Sequence, residues 1–158
     1  LYQAAYSTIQ CPGEDETRAW ARRLLQNGLG SDSTLALHAD LGIGKTVFVQ
    51  GLADALGGEK EIISPTFIYC RDYPGRIPLI HVDAYRLDGV SEADEPFWDE
   101  ILDREGLRVI EWAERLGERL PKTAIHIFGR IRGNSVREWT LFTPLRDQFR
   151  LHGETGWK

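Results

Sequence analysis

The chain has 158 residues, enough to bury a core without metal or disulfide staples and of a length that suits one domain. Its net charge of −5 argues against a surface that grips nucleic acid directly, since such proteins usually carry a basic face to neutralise phosphates. No run approaches the roughly 18 apolar residues of a membrane span, and the opening LYQAAYSTIQ lacks the basic and apolar regions of a signal peptide, so a cytoplasmic protein is expected.

In chain order, Glu14 to Asn27 is predicted to form the first helix. Trp20, Ala21, Leu24 and Leu25 recur at helical spacing, and Gly28 follows as a stop. Thr34 to His38 is a short strand, and the turn ADLGIGKT leads into a second helix from about Thr46 to Leu56. Phe48, Val49, Leu52, Ala55 and Leu56 form its apolar stripe, and Gly57 and Gly58 end it. Phe67 to Tyr73 and Ile77 to Val82 are predicted strands joined by a tight turn at Pro74 and Gly75. Ser91 can cap a short acidic helix whose apolar face is Phe97, Trp98, Ile101 and Leu102.

Leu107 to Ile110 is a compact apolar run of the kind found in buried strands. Ala124 to Phe128 and Arg137 to Phe142 form a closing hairpin around Gly133 and Asn134, and a polar, loose tail is expected from Gln148. Strands alternate with helices early and pair antiparallel later. The expected fold is therefore a single α/β domain, a mixed sheet flanked by helices, spanning 1–158. The two cysteines, Cys11 and Cys70, have no metal-like spacing and read as lone thiols.

The turn before the second helix carries the most chemistry. A helix N-terminus presents unpaired N–H groups and a partial positive charge, so it attracts anions. Gly42 and Gly44 let backbone wrap around phosphate oxygens, Lys45 adds a mobile cation, and the Thr46 hydroxyl can ligate magnesium. This is the pattern of an ATP-binding phosphate loop, with Ala39 standing where the usual motif begins with Gly. The bland alternative is an ordinary helix start with a surface lysine.

Two apolar strands end in carboxylates. Leu79 to Asp83 has the Walker B arrangement, and Leu107 to Ile110 runs into Glu111 and Trp112. In a mostly parallel sheet the C-terminal strand ends lie along the same edge as the phosphate loop, so Asp83 and Glu111 are expected to converge there. A solvated strand-end charge is the competing reading for Glu111, and core packing for Trp112. Ser64-Pro65-Thr66-Phe67 places a rigid turn and a hydroxyl just before a strand, an arrangement resembling a switch loop that senses the γ-phosphate.

With these pieces in order, the chain resembles the TsaE family, the ATPases of bacterial tRNA threonylcarbamoyladenosine biosynthesis. The matching stretches are ADLGIGKTVFVQGLADALG, SPTF, HVDAYRL and VIEWAERL, covering roughly residues 35 to 120. The resemblance implies a Mg-dependent ATPase, slow alone, that binds a TsaB–TsaD pair and resets it between turnovers during modification of adenosine 37 of tRNA. It implies a phosphate loop of Asp40, Leu41, Gly42, Ile43, Gly44, Lys45 and Thr46, with Thr46 and Glu111 as magnesium ligands. Asp83 would order the attacking water, Thr66 would act in the switch loop, and Lys45 would meet the phosphates. Trp112 would sit close to the nucleotide, Glu14 and Thr17 near the adenine, and Gly133 would approach from the hairpin. Ala39, Ile43 and Val47 depart from the family pattern and bear on nucleotide affinity and rate.

Three rival readings stand beside this one. A small-molecule P-loop kinase needs an arginine-bearing lid, for which Arg130, Arg132, Arg137 and Arg146 are the candidates. A GTPase switch lacks an Asn-Lys-x-Asp context, since the only asparagines are Asn27 and Asn134. A nucleotide-binding scaffold would never hydrolyse.

Overall fold

The computed structural model describes residues 5–58, 62, 70–86, 94–133 and 135–144. Their strands are β1 (Ala5–Cys11), β2 (Thr34–Ala39), β3 (Cys70–Tyr73), β4 (Leu79–Asp83), β5 (Leu107–Glu111), β6 (Ile125–Arg132) and β7 (Val136–Thr143). The helices are α1 (Glu14–Gln26), α2 (Lys45–Ala55) and α3 (Glu95–Asp103), with a 3₁₀ helix over Ala113–Arg119.

The seven strands form one sheet in the order β1-β7-β6-β2-β5-β4-β3. Its centre is parallel: β2 pairs with β6 and β5, and β5 with β4. β1, β7 and β3 add antiparallel edges. The reason lies in the strand sequences. β4 and β5 are buried at all five positions and β2 at all but His38, so each needs cover on both faces. Parallel strands linked through helices supply that cover.

On one face, α1 and α2 pack over Leu35, Leu37, Leu79, Leu107, Val109 and Ile127. On the other, Trp98 and Ile101 of α3 and Ala113 and Leu116 of the 3₁₀ helix close over Ala36, Ile80, Val82 and Ile110.

One aromatic cluster ties the first face together. The Trp139 ring lies 6.0 Å from Trp20 of α1 and 5.9 Å from Phe48 of α2, and those two lie 5.3 Å apart. The indole needs room across the neighbouring strand, where Gly129 is the register partner of Trp139. A Cβ at Gly129 would come within 2.6 Å of the ring and 3.1 Å of the Ala39 Cβ. A missing side chain on β6 thus lets the closing hairpin pack against the strand that feeds the phosphate loop.

The mixed-sheet α/β architecture expected from sequence is the one observed, with several boundary differences. β4 starts at Leu79 rather than Ile77, because Pro78 has no N–H for the ladder; its carbonyl accepts from Leu107 N at 2.8 Å. The hairpin strands run further than expected, to Arg132 and from Val136. β1 and the 3₁₀ helix were not expected; β1 gains its ladder from β7, from Ala5 opposite Thr143 to Cys11 opposite Arg137. Residues 67–69 of the strand predicted over Phe67 to Tyr73, the Ser91 cap, Asn134 and the tail from Gln148 lie outside the described residues. Cys11 and Cys70 sit on opposite edge strands and are both free thiols. Among the described residues, no helix is long and apolar enough to cross a membrane.

Removing the shared ring should unfasten both helices from the sheet. Trp139→Ala is expected to cost about 3–5 kcal/mol in denaturant unfolding. Phe128→Ala, on a half-exposed ring of the adjoining strand, should cost less than about 1.5 kcal/mol. Equal losses would contradict the cluster's role.

Candidate functional site

The site begins where β2 ends. Ala39 is the last residue of that strand and keeps ordinary extended backbone, so a methyl group causes no strain at this position. The chain then turns through Gly42 at φ 81° and Gly44 at φ 102°, conformations that L side chains adopt only with strain. A Cβ at Gly42 would meet nothing within 4 Å. The glycine is therefore required by the backbone path, and the space above it is open to a ligand.

Gly44 is the N-cap of α2, and Phe48 N donates to its carbonyl at 3.0 Å. That helix has no side-chain cap and no acidic residue in its first turn, whereas α1 begins Glu14, Asp15, Glu16. The N–H groups and positive dipole end of α2 are thus left uncompensated toward the cleft.

Lys45 is buried, and its Nζ donates to the carbonyls of Ala39 at 2.7 Å and Asp40 at 2.8 Å. The same nitrogen lies 4.5 Å from the centre of the Trp112 ring. Burial pushes the Lys45 pKa down; the carboxylates of Glu111, Asp83, Asp40 and Glu114 act in the opposite direction. The amine is held by uncharged acceptors and a π face, partners that a charged phosphate oxygen can displace.

The carboxylates arrive from the sheet. β4 and β5 pair so that Asp83 is the direct partner of Glu111, and β2 places Leu37 beside Glu111 on the other side. Both carboxylate residues are buried. Asp83 Oδ1 accepts from Tyr85 N at 2.8 Å, and Glu111 Oε1 lies 2.8 Å from His81 Nε2. Trp112 follows in the left-handed region at φ 56°, an uncommon conformation for a bulky residue, and its ring lies 5.0 Å from that of Tyr85.

Leu41, Gly42, Gly44, Lys45, Thr46, Asp83, Tyr85, Glu111 and Trp112 line one cleft of about 400 Å³. The donor set is oxygen: the Thr46 hydroxyl with the two carboxylates. Such hard ligands fit a magnesium-like cation. Among the described residues no group of three or more His, Cys, Asp or Glu could hold a metal alone. A cation here would need oxygens from its ligand too, as magnesium does when it rides on phosphates.

Not every expected residue reaches the cleft lining. Ile43 is 2 % exposed and packs into the core, so only its backbone can serve the loop. Asp40 contributes its carbonyl to Lys45. Glu14 pairs with Arg18 at 3.1 Å, and the buried Thr17 hydroxyl donates to Gly13 O at 3.2 Å; neither lines the cleft. Gly133 lies in the β6–β7 turn and is also absent from the lining. Thr66 and the rest of Ser64-Pro65-Thr66-Phe67 lie outside the described residues. The sequence reading missed Tyr85, two residues beyond Asp83, and His81, two residues before it.

The chain is similar to known proteins along most of its length. The family model for threonylcarbamoyl adenosine biosynthesis protein TsaE matches residues 11–138. The tRNA threonylcarbamoyladenosine biosynthesis protein TsaE of Treponema pallidum is 38 % identical over 129 residues, 80 % of this chain and 93 % of that protein. The protein of the same name from Bacillus subtilis is 34 % identical over 138 residues, covering 87 % and 85 % of the two chains. The crystal structure of Bacillus subtilis YdiB superposes with a TM-score of 0.77 at 28 % identity, covering 94 % of this chain and 92 % of its own.

The contact between Lys45 and Trp112 provides a readout. A polyphosphate that draws Nζ off the ring should change tryptophan emission, and Trp112→Phe should abolish that change although four tryptophans remain. Persistence of the full change in Trp112→Phe would contradict anion binding at this cleft.

Proposed function

The chain belongs to the TsaE family of threonylcarbamoyl adenosine biosynthesis proteins, and from that premise we propose that it binds and hydrolyses ATP with magnesium in the cleft beside α2. The observation that carries this reading is the meeting of an uncapped helix N-terminus, Lys45, Thr46, Asp83 and Glu111 in one cleft. By family, the activity serves threonylcarbamoyladenosine modification of tRNA in the cytoplasm, through a TsaB–TsaD pair.

In this reading the backbone N–H groups of residues 42–46 wrap the β- and γ-phosphates. Lys45 exchanges the carbonyls of Ala39 and Asp40 for phosphate oxygens, moving from neutral to charged acceptors. Thr46 and Glu111 hold magnesium, which neutralises charge on the transferring group. Asp83, fixed by the Tyr85 N–H, orders the water that attacks the γ-phosphorus, releasing ADP and phosphate. Trp112 and Tyr85 form an aromatic wall beside the phosphates.

Two observations favour a protein partner. Lys45 is the one cation among the described residues that line the cleft, so charge neutralisation by this chain alone is incomplete. The rim also carries exposed apolar side chains, Leu41 at 83 % and Tyr85 at 48 %, suited to being covered by a docking protein. Net charge argues that tRNA reaches the system through those partners. The kinase alternative gains no support from its lid arginines. Arg130 and Arg132 pair with Glu138 across the hairpin, Arg137 donates to Ser135 O, and Arg146 lies outside the described residues.

ATP turnover should be slow for the chain alone, unchanged by tRNA alone, and raised clearly by purified TsaB and TsaD together. Stimulation by bare tRNA or by a metabolite without protein would contradict the proposal. Calorimetry should show ATP and ADP preferred to GTP, with binding largely lost in Lys45→Ala. Under partner-stimulated conditions Glu111→Gln should lower turnover at least about tenfold, a change of about 1.4 kcal/mol, while the fold persists.

A further inference from the structure

His81 is fully buried in β4, among Leu79, Ile80, Val82 and Asp83. A leucine there would need no hydrogen bonds, whereas a buried imidazole must be desolvated and its ring nitrogens satisfied. Among the described residues Nδ1 has no hydrogen-bond partner. For packing alone, hydrocarbon is the better choice at this position. Among the described residues the imidazole makes one close polar contact, from Nε2 to Glu111 Oε1 at 2.8 Å, with the two side chains 0 % and 4 % exposed.

The strand register explains how that contact arises. His81 is the partner of Val109 and Asp83 the partner of Glu111, so His81 and Asp83 share a face and His81 meets Glu111 diagonally. Asp83 and Glu111 line the cleft, whereas His81 does not. The imidazole therefore grips the carboxylate from the core side. Glu111 is fastened at its backbone too, where Ala84 N donates to its carbonyl at 3.1 Å. A carboxylate accepts hydrogen bonds, so in this contact Nε2 is the nitrogen that carries a proton and donates it to Oε1.

Resting on the magnesium role proposed for Glu111, we infer that His81 is a positioning residue for the metal. It commits one carboxylate oxygen to the core and so fixes the direction in which the other meets a cation. A hydrogen bond to a ligating carboxylate orients that ligand before the metal arrives. Without it the Glu111 side chain must be ordered at the moment of binding, which weakens the metal and leaves the phosphate loop untouched.

The test separates metal from nucleotide. ATP affinity is measured by calorimetry across a magnesium titration and in EDTA, for the parent, His81→Leu and His81→Gln. In EDTA all three should agree within about twofold. The magnesium concentration giving half-maximal enhancement should rise roughly 10–100-fold in His81→Leu. His81→Gln, whose amide can offer an N–H to Glu111, should recover most of it.

A magnesium dependence unchanged in His81→Leu, or equally impaired in Leu and Gln variants, overturns the inference. Absence of any magnesium effect in the parent overturns the metal site itself, which is a separate failure. One measurement needs no variant: in the ¹⁵N-histidine-labelled parent, His81 should carry its proton on Nε2. A proton on Nδ1 and none on Nε2 would overturn the inference even if the Leu variant failed to fold.

Discussion

Parallel pairing of β2, β5 and β4 in one register decides where every polar group of the cleft ends up. Leu37 sits beside Glu111, and Glu111 beside Asp83. Side chains alternate between faces, so a slip of one residue in β5 would turn Val109 and Glu111 to the face that holds Ile110 and drive Ile110 to theirs. Both faces are buried by helices, which makes that slip costly. The hydrophobic core thus fixes a polar geometry it does not itself touch. Asp83 and Glu111 are held opposite each other because Leu79, Val82, Leu107 and Ile110 have only one way to pack.

The cleft concentrates features that cost stability. Lys45, Asp83 and Glu111 are buried charged residues, Nδ1 of His81 has no partner among the described residues, and Trp112 occupies the left-handed region. Mutual contacts offset part of this: carbonyls and an indole ring for the amine, a backbone N–H for Asp83, an imidazole for Glu111. The aromatic cluster of Trp20, Phe48 and Trp139 joins both helices to the sheet nearby. Lys45 stands at the junction of the two: it opens α2, whose next turn buries Phe48, and it points back at the end of β2. A ligand that recruits Lys45 acts on a side chain whose backbone is held by the core.

Sequence made some of this legible and some not, for physical reasons. TLALH, LIHVD and LRVI read as strands because they are short, largely apolar runs, and the ends of the last two located Asp83 and Glu111. Glycine positions located the loop, since Gly42 and Gly44 occupy conformations that side chains resist. β1 was not legible: YSTIQ carries little apolar content, and its ladder is supplied by β7, far away in sequence. Ile43 was counted with the loop although its side chain turns into the core. His81 and Tyr85 went unassigned because their contacts with Glu111 and Trp112 cross between strand ends, and only the register reveals them. The departure at Ala39 has a simple outcome, because that position is regular strand and needs no glycine.

The proposed magnesium site requires Thr46 from the helix and Glu111 from the sheet to serve one ion on a bound nucleotide. A double-mutant cycle tests it directly: ATP affinity of the parent, Thr46→Val, Glu111→Gln and the double variant, each with and without magnesium. Two residues that share an ion should couple by at least about 1 kcal/mol when magnesium is present and by nothing measurable in its absence. Strict additivity in both conditions would mean that the two residues do not share an ion.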